Sequence, residues 1–174
     1  VVLLSGRTIQ PLLSRYWHSG FLPGQHQGTQ FRSQGDPVLY LSNPKGMSRG
    51  SRGKIVNAVN ALNRLKYDAV LDPEIQARID SFELAYRMQM SVPELTAIAD
   101  EPASTFELYG EEAREPGTHA ANCLLARRLA ERGGRFVQLY MRGWDQHGNL
   151  PNEIRAQAKA VDQPQAALLQ DQYN

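Results

Sequence analysis

Only one cysteine, Cys123, occurs in the 174 residues, so neither a disulfide framework nor a thiolate metal site can form within the chain. No apolar run approaches the roughly 20 residues that a membrane-spanning helix needs. Neither sign of charge prevails: 19 Lys and Arg against 18 Asp and Glu leave +1, which argues against a general nucleic-acid binder. P-loops and Gly-x-Gly-x-x-Gly fingerprints are absent. Apolar residues make up 41% of the chain, enough for one domain that buries roughly two thirds of its surface. The chain starts in a strand-like run, Val1 to Leu4, and stops inside a helical pattern with no Gly cap, Leu168 to Tyr173. Those ends predict a single partial domain over 1–174, cut from a larger one.

The chain is organised around Arg135-Phe-Val-Gln-Leu-Tyr-Met-Arg-Gly-Trp-Asp-Gln-His-Gly-Asn149. Phe136, Val137, Leu139 and Tyr140 are strand formers with little interruption, the pattern of a parallel strand covered on both faces. The run stops at Gly143, and Asp145 and His147 follow at once. Ligands of open α/β sheets bind beyond the carboxyl ends of the strands. A carboxylate and an imidazole at that place are the leading candidates for chemistry.

Upstream, ten glycines or prolines punctuate Gly6 to Gly46, which reads as a long loop with one short strand at Val38 to Leu41. Trp17 and Phe21 either pin that loop to the core or help it cover a site. Six bases and no acid lie between Asp36 and Asp68, and seven acids against Arg114 alone run from Glu94 to Glu115. These runs suit a bipolar, solvated surface. A helix is expected over about 53–67, with Ile55, Val59, Leu62 and Leu65 on one stripe. A second opens at Asp72-Pro73 and carries Phe82, Tyr86 and Met90; a third opens at Ser91. Together they would form a helical insert at about 53–99.

Asp100 to Gly117 reads as a polar linker rich in Glu and Pro. A helix follows from about Thr118 to Arg132, with Ala121, Leu125 and Leu129 on its apolar face, arginines in its last turns and Gly133-Gly134 ending it. Cys123 lies mid-helix without a nearby base and reads as a packing residue. Pro151 to Lys159 is weakly helical, and Asp162-Gln-Pro-Gln165 restarts a helix with Asp162 as cap.

Asp145 and His147 suit zinc or another divalent ion, but two ligands do not make a site. On spacing alone, Asp145 as a loop-backbone acceptor and His147 as a surface histidine fit equally well. Arg142 could take an anionic oxygen, and Asn149 could bind substrate or orient a ligand. Trp144 could stack on a sugar or simply pack. Ser5 precedes Gly6 with nothing nearby to activate it, and His18, His26 and His119 read as structural or exposed.

Asn122-Cys-Leu-Leu-Ala-Arg-Arg-Leu-Ala-Glu-Arg-Gly133, Arg135-Phe-Val-Gln-Leu139 and Gly143-Trp-Asp-Gln-His-Gly148 closely resemble an uncharacterised sulfatase-like family, catalogued as domain of unknown function fifteen hundred and one. Gly20-Phe-Leu-Pro23, Gly35-Asp-Pro-Val-Leu-Tyr-Leu41 and Val161-Asp-Gln-Pro164 match it too, so the resemblance spans nearly the whole chain. It implies a branch of the alkaline-phosphatase superfamily: an α/β fold, here a partial alkaline-phosphatase-like sheet flanked by helices, with divalent metals such as zinc or calcium at the strand ends. It also implies export to the periplasm or cell exterior. Asp145 and His147 would be metal ligands, and Arg142 and Asn149 substrate contacts. The nucleophile would lie upstream and a second ligand cluster downstream, leaving this piece inactive by itself. The expectation is therefore part of a secreted metal-dependent hydrolase of small-molecule or glycan sulfate or phosphate esters. The alternative is a non-catalytic binding or surface-assembly protein on the same fold.

Overall fold

The computed structural model describes residues 1–6, 13–22, 26–32, 46–72, 75–76, 79–80, 92 and 94–173. Three short strands, β1 (Val2–Ser5), β2 (Gln30–Phe31) and β3 (Gln138–Met141), form a parallel sheet in the order β2-β1-β3. Val2 stands opposite both Gln30 and Gln138, and Ser5 opposite Met141. Successive strand residues face opposite sides of a sheet, and Val2 and Leu3 are both 1% exposed. The strand covered on both faces is thus β1. The expectation that Phe136–Tyr140 would hold that place is corrected: β3 starts at Gln138, is half-buried, and lies at the edge of the described sheet, while Phe136 is 70% exposed. An unbroken apolar run reports strand propensity; it does not report which strand is central.

The described helices are α1 (Arg49–Val70), α2 (Ala103–Tyr109), α3 (His119–Glu131) and α4 (Leu150–Tyr173). None is long and apolar enough to cross a membrane. α3 is capped by Thr118, whose Oγ1 accepts from Ala121 N at 3.1 Å. It ends in a left-handed glycine: Gly133 has φ +83°, its N–H reaches Ala130 O at 2.9 Å, and Gly134 N reaches Leu129 O at 2.8 Å. This is the Schellman arrangement that the glycine pair predicts. Every residue from His119 to Ala126 is buried, as suits a helix packed on nearly all sides. Its Leu125, Ala126 and Leu129 meet Leu3, Phe31, Val92 and Leu95 in one core. Its Ala120, Cys123 and Leu124 meet Phe106, Tyr109 and Ala167 in a second. Cys123 is a buried packing residue, as expected.

Three further expectations are corrected. Asp100 to Gly117 is no linker, because Phe106 and Tyr109 stand three apart on α2 and are fully buried. Two aromatics one turn apart outweigh the Glu and Pro content around them. Pro151 onwards forms one continuous helix, α4, with Pro164 inside it and Asp162 not a cap. The proline withholds one backbone N–H; burial of Pro164 and Ala167 helps hold the chain helical across it. α1 outruns the expected 53–67 at both ends, and its Ile55, Leu62 and Leu65 are exposed. Trp17 is buried but Phe21 is 98% exposed, so only the tryptophan anchors its loop. The strand expected at Val38 to Leu41, and Phe82, Tyr86 and Met90 of the second helix, lie outside the described residues.

Candidate functional site

A cleft of about 520 Å³ opens at the carboxyl end of the sheet. The β1–β3 register fixes its floor: Ser5 and Met141 end the two strands side by side, and Gly6 and Arg142 follow them into the lining. Gly6 has φ +99° and donates its N–H to Gly117 O at 2.9 Å, tying the exit of β1 to the start of α3. Thr118 and His119 line the cleft from that start, and Gln157 lines it from α4. Glu112 and Glu115 stand at the opening.

Three polar side chains are packed together at the Ser5 end. Asn122 Nδ2 donates to Ser5 Oγ at 2.9 Å, and Ser5 Oγ lies 3.4 Å from His119 Nδ1. Ser5, His119 and Asn122 are 4%, 6% and 6% exposed. Burial disfavours the imidazolium and lowers the His119 pKa below its ordinary value, so the ring is held as a neutral acceptor and donor. On its far side His119 Nε2 stands 3.4 Å from Gln165 Nε2 of α4. Sequence reasoning passed over this group, because Ser5 and His119 are 114 residues apart and neither sits in a local motif. The one available signal was position: Ser5 closes a strand and His119 opens a helix, both facing the same end of an α/β layer.

Asp145 and His147 are brought together. Beyond β3 the chain turns at Gly143, φ +92°, and His147 Nε2 lies 3.0 Å from Asp145 Oδ2. At that separation the carboxylate and the imidazole are hydrogen-bonded to each other. Both side chains are open to solvent, 90% and 83% exposed. Among the described residues no group of three or more His, Cys, Asp or Glu gathers as an ion-binding cluster. Arg142 lines the cleft, and its carbonyl accepts from Gln157 Nε2 at 3.2 Å. Asn149 precedes α4, where its carbonyl accepts from Asn152 N at 3.1 Å and Glu153 N at 3.0 Å. Trp144 is half-exposed beside the loop.

A family model described as "Protein of unknown function (DUF1501)" matches residues 1–172. No curated protein and no solved structure matches the chain.

Proposed function

The chain belongs to the DUF1501 family of proteins of unknown function, and from that premise we propose that it is part of an exported, metal-dependent hydrolase of sulfate or phosphate esters. One observation carries the reading: Asp145 and His147 are held 3.0 Å apart on the loop that leaves the carboxyl end of a parallel strand. A zinc, calcium or similar divalent ion gripped by this pair would polarise an ester oxygen and offset charge developing on it. Arg142, on the neighbouring cleft wall, would take another anionic oxygen of a small-molecule or glycan ester. Asn149 would orient substrate or ligand from the entry to α4. The remaining ligands and the attacking nucleophile come from outside the 142–149 loop. Neither nucleic acid nor a membrane span enters this reading.

Metal content decides it. The full-length protein, dialysed against zinc or calcium and then against metal-free buffer, is expected to retain stoichiometric metal by elemental analysis, and Asp145→Ala and His147→Ala are each expected to lose it. Protein that holds no metal, whatever stands at 145 and 147, would exclude the hydrolase reading. It would favour the second one, a non-catalytic binding or surface-assembly role. That role has its own support in the exposed Ile55, Leu62 and Leu65 of α1, since clustered exposed apolar side chains mark interaction surfaces.

A further inference from the structure

We propose that Ser5 and His119 form a second reactive pair, a serine nucleophile with its general base, able to cleave an uncharged carboxylic ester in the cleft. The proposal does not rest on the metal reading. Nucleophilic serine catalysis needs a hydroxyl, a base within hydrogen-bond reach, and a third group that orients the base. Here Ser5 Oγ is 3.4 Å from His119 Nδ1, and Gln165 meets the far ring nitrogen at 3.4 Å. Separations of this length are common before substrate closes a site. Asn122 Nδ2 already donates to Ser5 Oγ. The hydroxyl hydrogen is then left to point at His119, provided that Nδ1 is the unprotonated nitrogen. That tautomer carries its proton on Nε2, which needs an acceptor; the Gln165 amide, whose nitrogen stands at the ring, supplies one after a half-turn that exchanges its nitrogen and oxygen.

The cleft suits this chemistry in two further respects. Glu112 and Glu115 against Arg142 leave one formal negative charge at its walls, so an uncharged ester enters without like-charge cost. The first turn of α3 lines the cleft through Thr118 and His119; Ala121 N–H is taken by the Thr118 cap and Thr118 N–H by Glu115 O, while those of His119 and Ala120 have no intrahelical acceptor. Such donors match an oxyanion. In the step itself, Ser5 Oγ bonds to the ester carbonyl carbon as its proton passes to His119 Nδ1. The C–O bond to the alcohol then breaks, and the imidazolium returns the proton to the departing alkoxide. Water, deprotonated by the same nitrogen, hydrolyses the acyl-serine and restores the pair.

The test is labelling with a fluorophosphonate that carries an uncharged alkyl tail, located by peptide mass spectrometry. Ser5 Oγ bonds to phosphorus, fluoride leaves with the electron pair, and the proton stays on His119. The expected result is one adduct, on Ser5, lost in Ser5→Ala and slowed on the order of 100-fold or more in His119→Gln. Gln165→Glu, which can only accept from Nε2, should speed labelling by fixing the productive tautomer, an effect that a packing role would not produce. Protein pretreated with EDTA should label like untreated protein, which separates this outcome from failure of the metal reading. Folded protein that takes no label at Ser5 would overturn the proposal whether or not the variants fold. So would labelling indifferent to both His119→Gln and Gln165→Glu.

Discussion

Glu101 carries more of the structure than any acid that the sequence brought forward. Its carboxylate accepts from Arg127 Nη2 at 2.6 Å and from Arg128 Nη1, while Arg127 also reaches Asp171 and Arg128 Nη2 bonds Glu94 O at 2.8 Å. These arginines were read as charges suited to a helix end; they clamp α3 to the segments before α2 and to α4. Burial pushes the Glu101 carboxyl up, and the hydrogen bonds and charges of Arg127 and Arg128 more than reverse this, leaving it below its ordinary value of 4.5. A carboxyl depressed by folding stabilises the fold fully above its unfolded value, and this contribution is lost as pH falls through the folded one. His119, depressed below 6.5, acts in the same direction from a higher starting point, because the unfolded chain takes up its proton first. Urea unfolding measured against pH should show stability falling below about pH 6.5 and again below about 4.5, with the lower phase shallower in Glu101→Gln. An unchanged lower phase would remove Glu101 from this role. At the same scale, burial pushes the Cys123 thiol up to about 12, which leaves it unreactive and consistent with packing.

Among the elements, α3 was the most legible, because its signals are local. Thr118 caps it, Leu125 and Leu129 lie one turn apart, and the glycine pair closes it in the expected geometry. Gly133→Ala should cost about 1–2 kcal/mol in chemical denaturation, since φ +83° is strained for any residue with a Cβ. Gly134→Ala should also destabilise, because its Cβ would lie 2.7 Å from Leu129 O. A loss within about 0.5 kcal/mol for Gly133→Ala would mean that the turn relaxes away from this geometry. The misread elements share a different property. α2, β3 and α4 depend on what lies across from them. Phe106 and Tyr109 form a core only because Ala120 and Leu124 face them. Pro164 punctuates a sequence, yet in place it is a buried helical residue.

At the scale of the whole molecule, the two cores meet on α3, and among the described residues α1 contributes to neither. Amide exchange should therefore be slowest along 119–131 and markedly faster along 49–70, where apolar side chains stay exposed. Equal protection in both helices would show that the α1 stripe is covered. The sequence by itself determined the α/β class, the strand at the start of the chain, the boundaries of α3 and the packing role of Cys123. Each follows from propensity, periodicity or spacing within a few residues. Only the tertiary structure decided that β1 rather than β3 is the covered strand, that Asp100 to Gly117 is core, and that Ser5, His119 and Asn122 share the end of a cleft. Those outcomes depend on register and on contacts between different elements, some more than a hundred positions apart, for which a linear pattern holds no record.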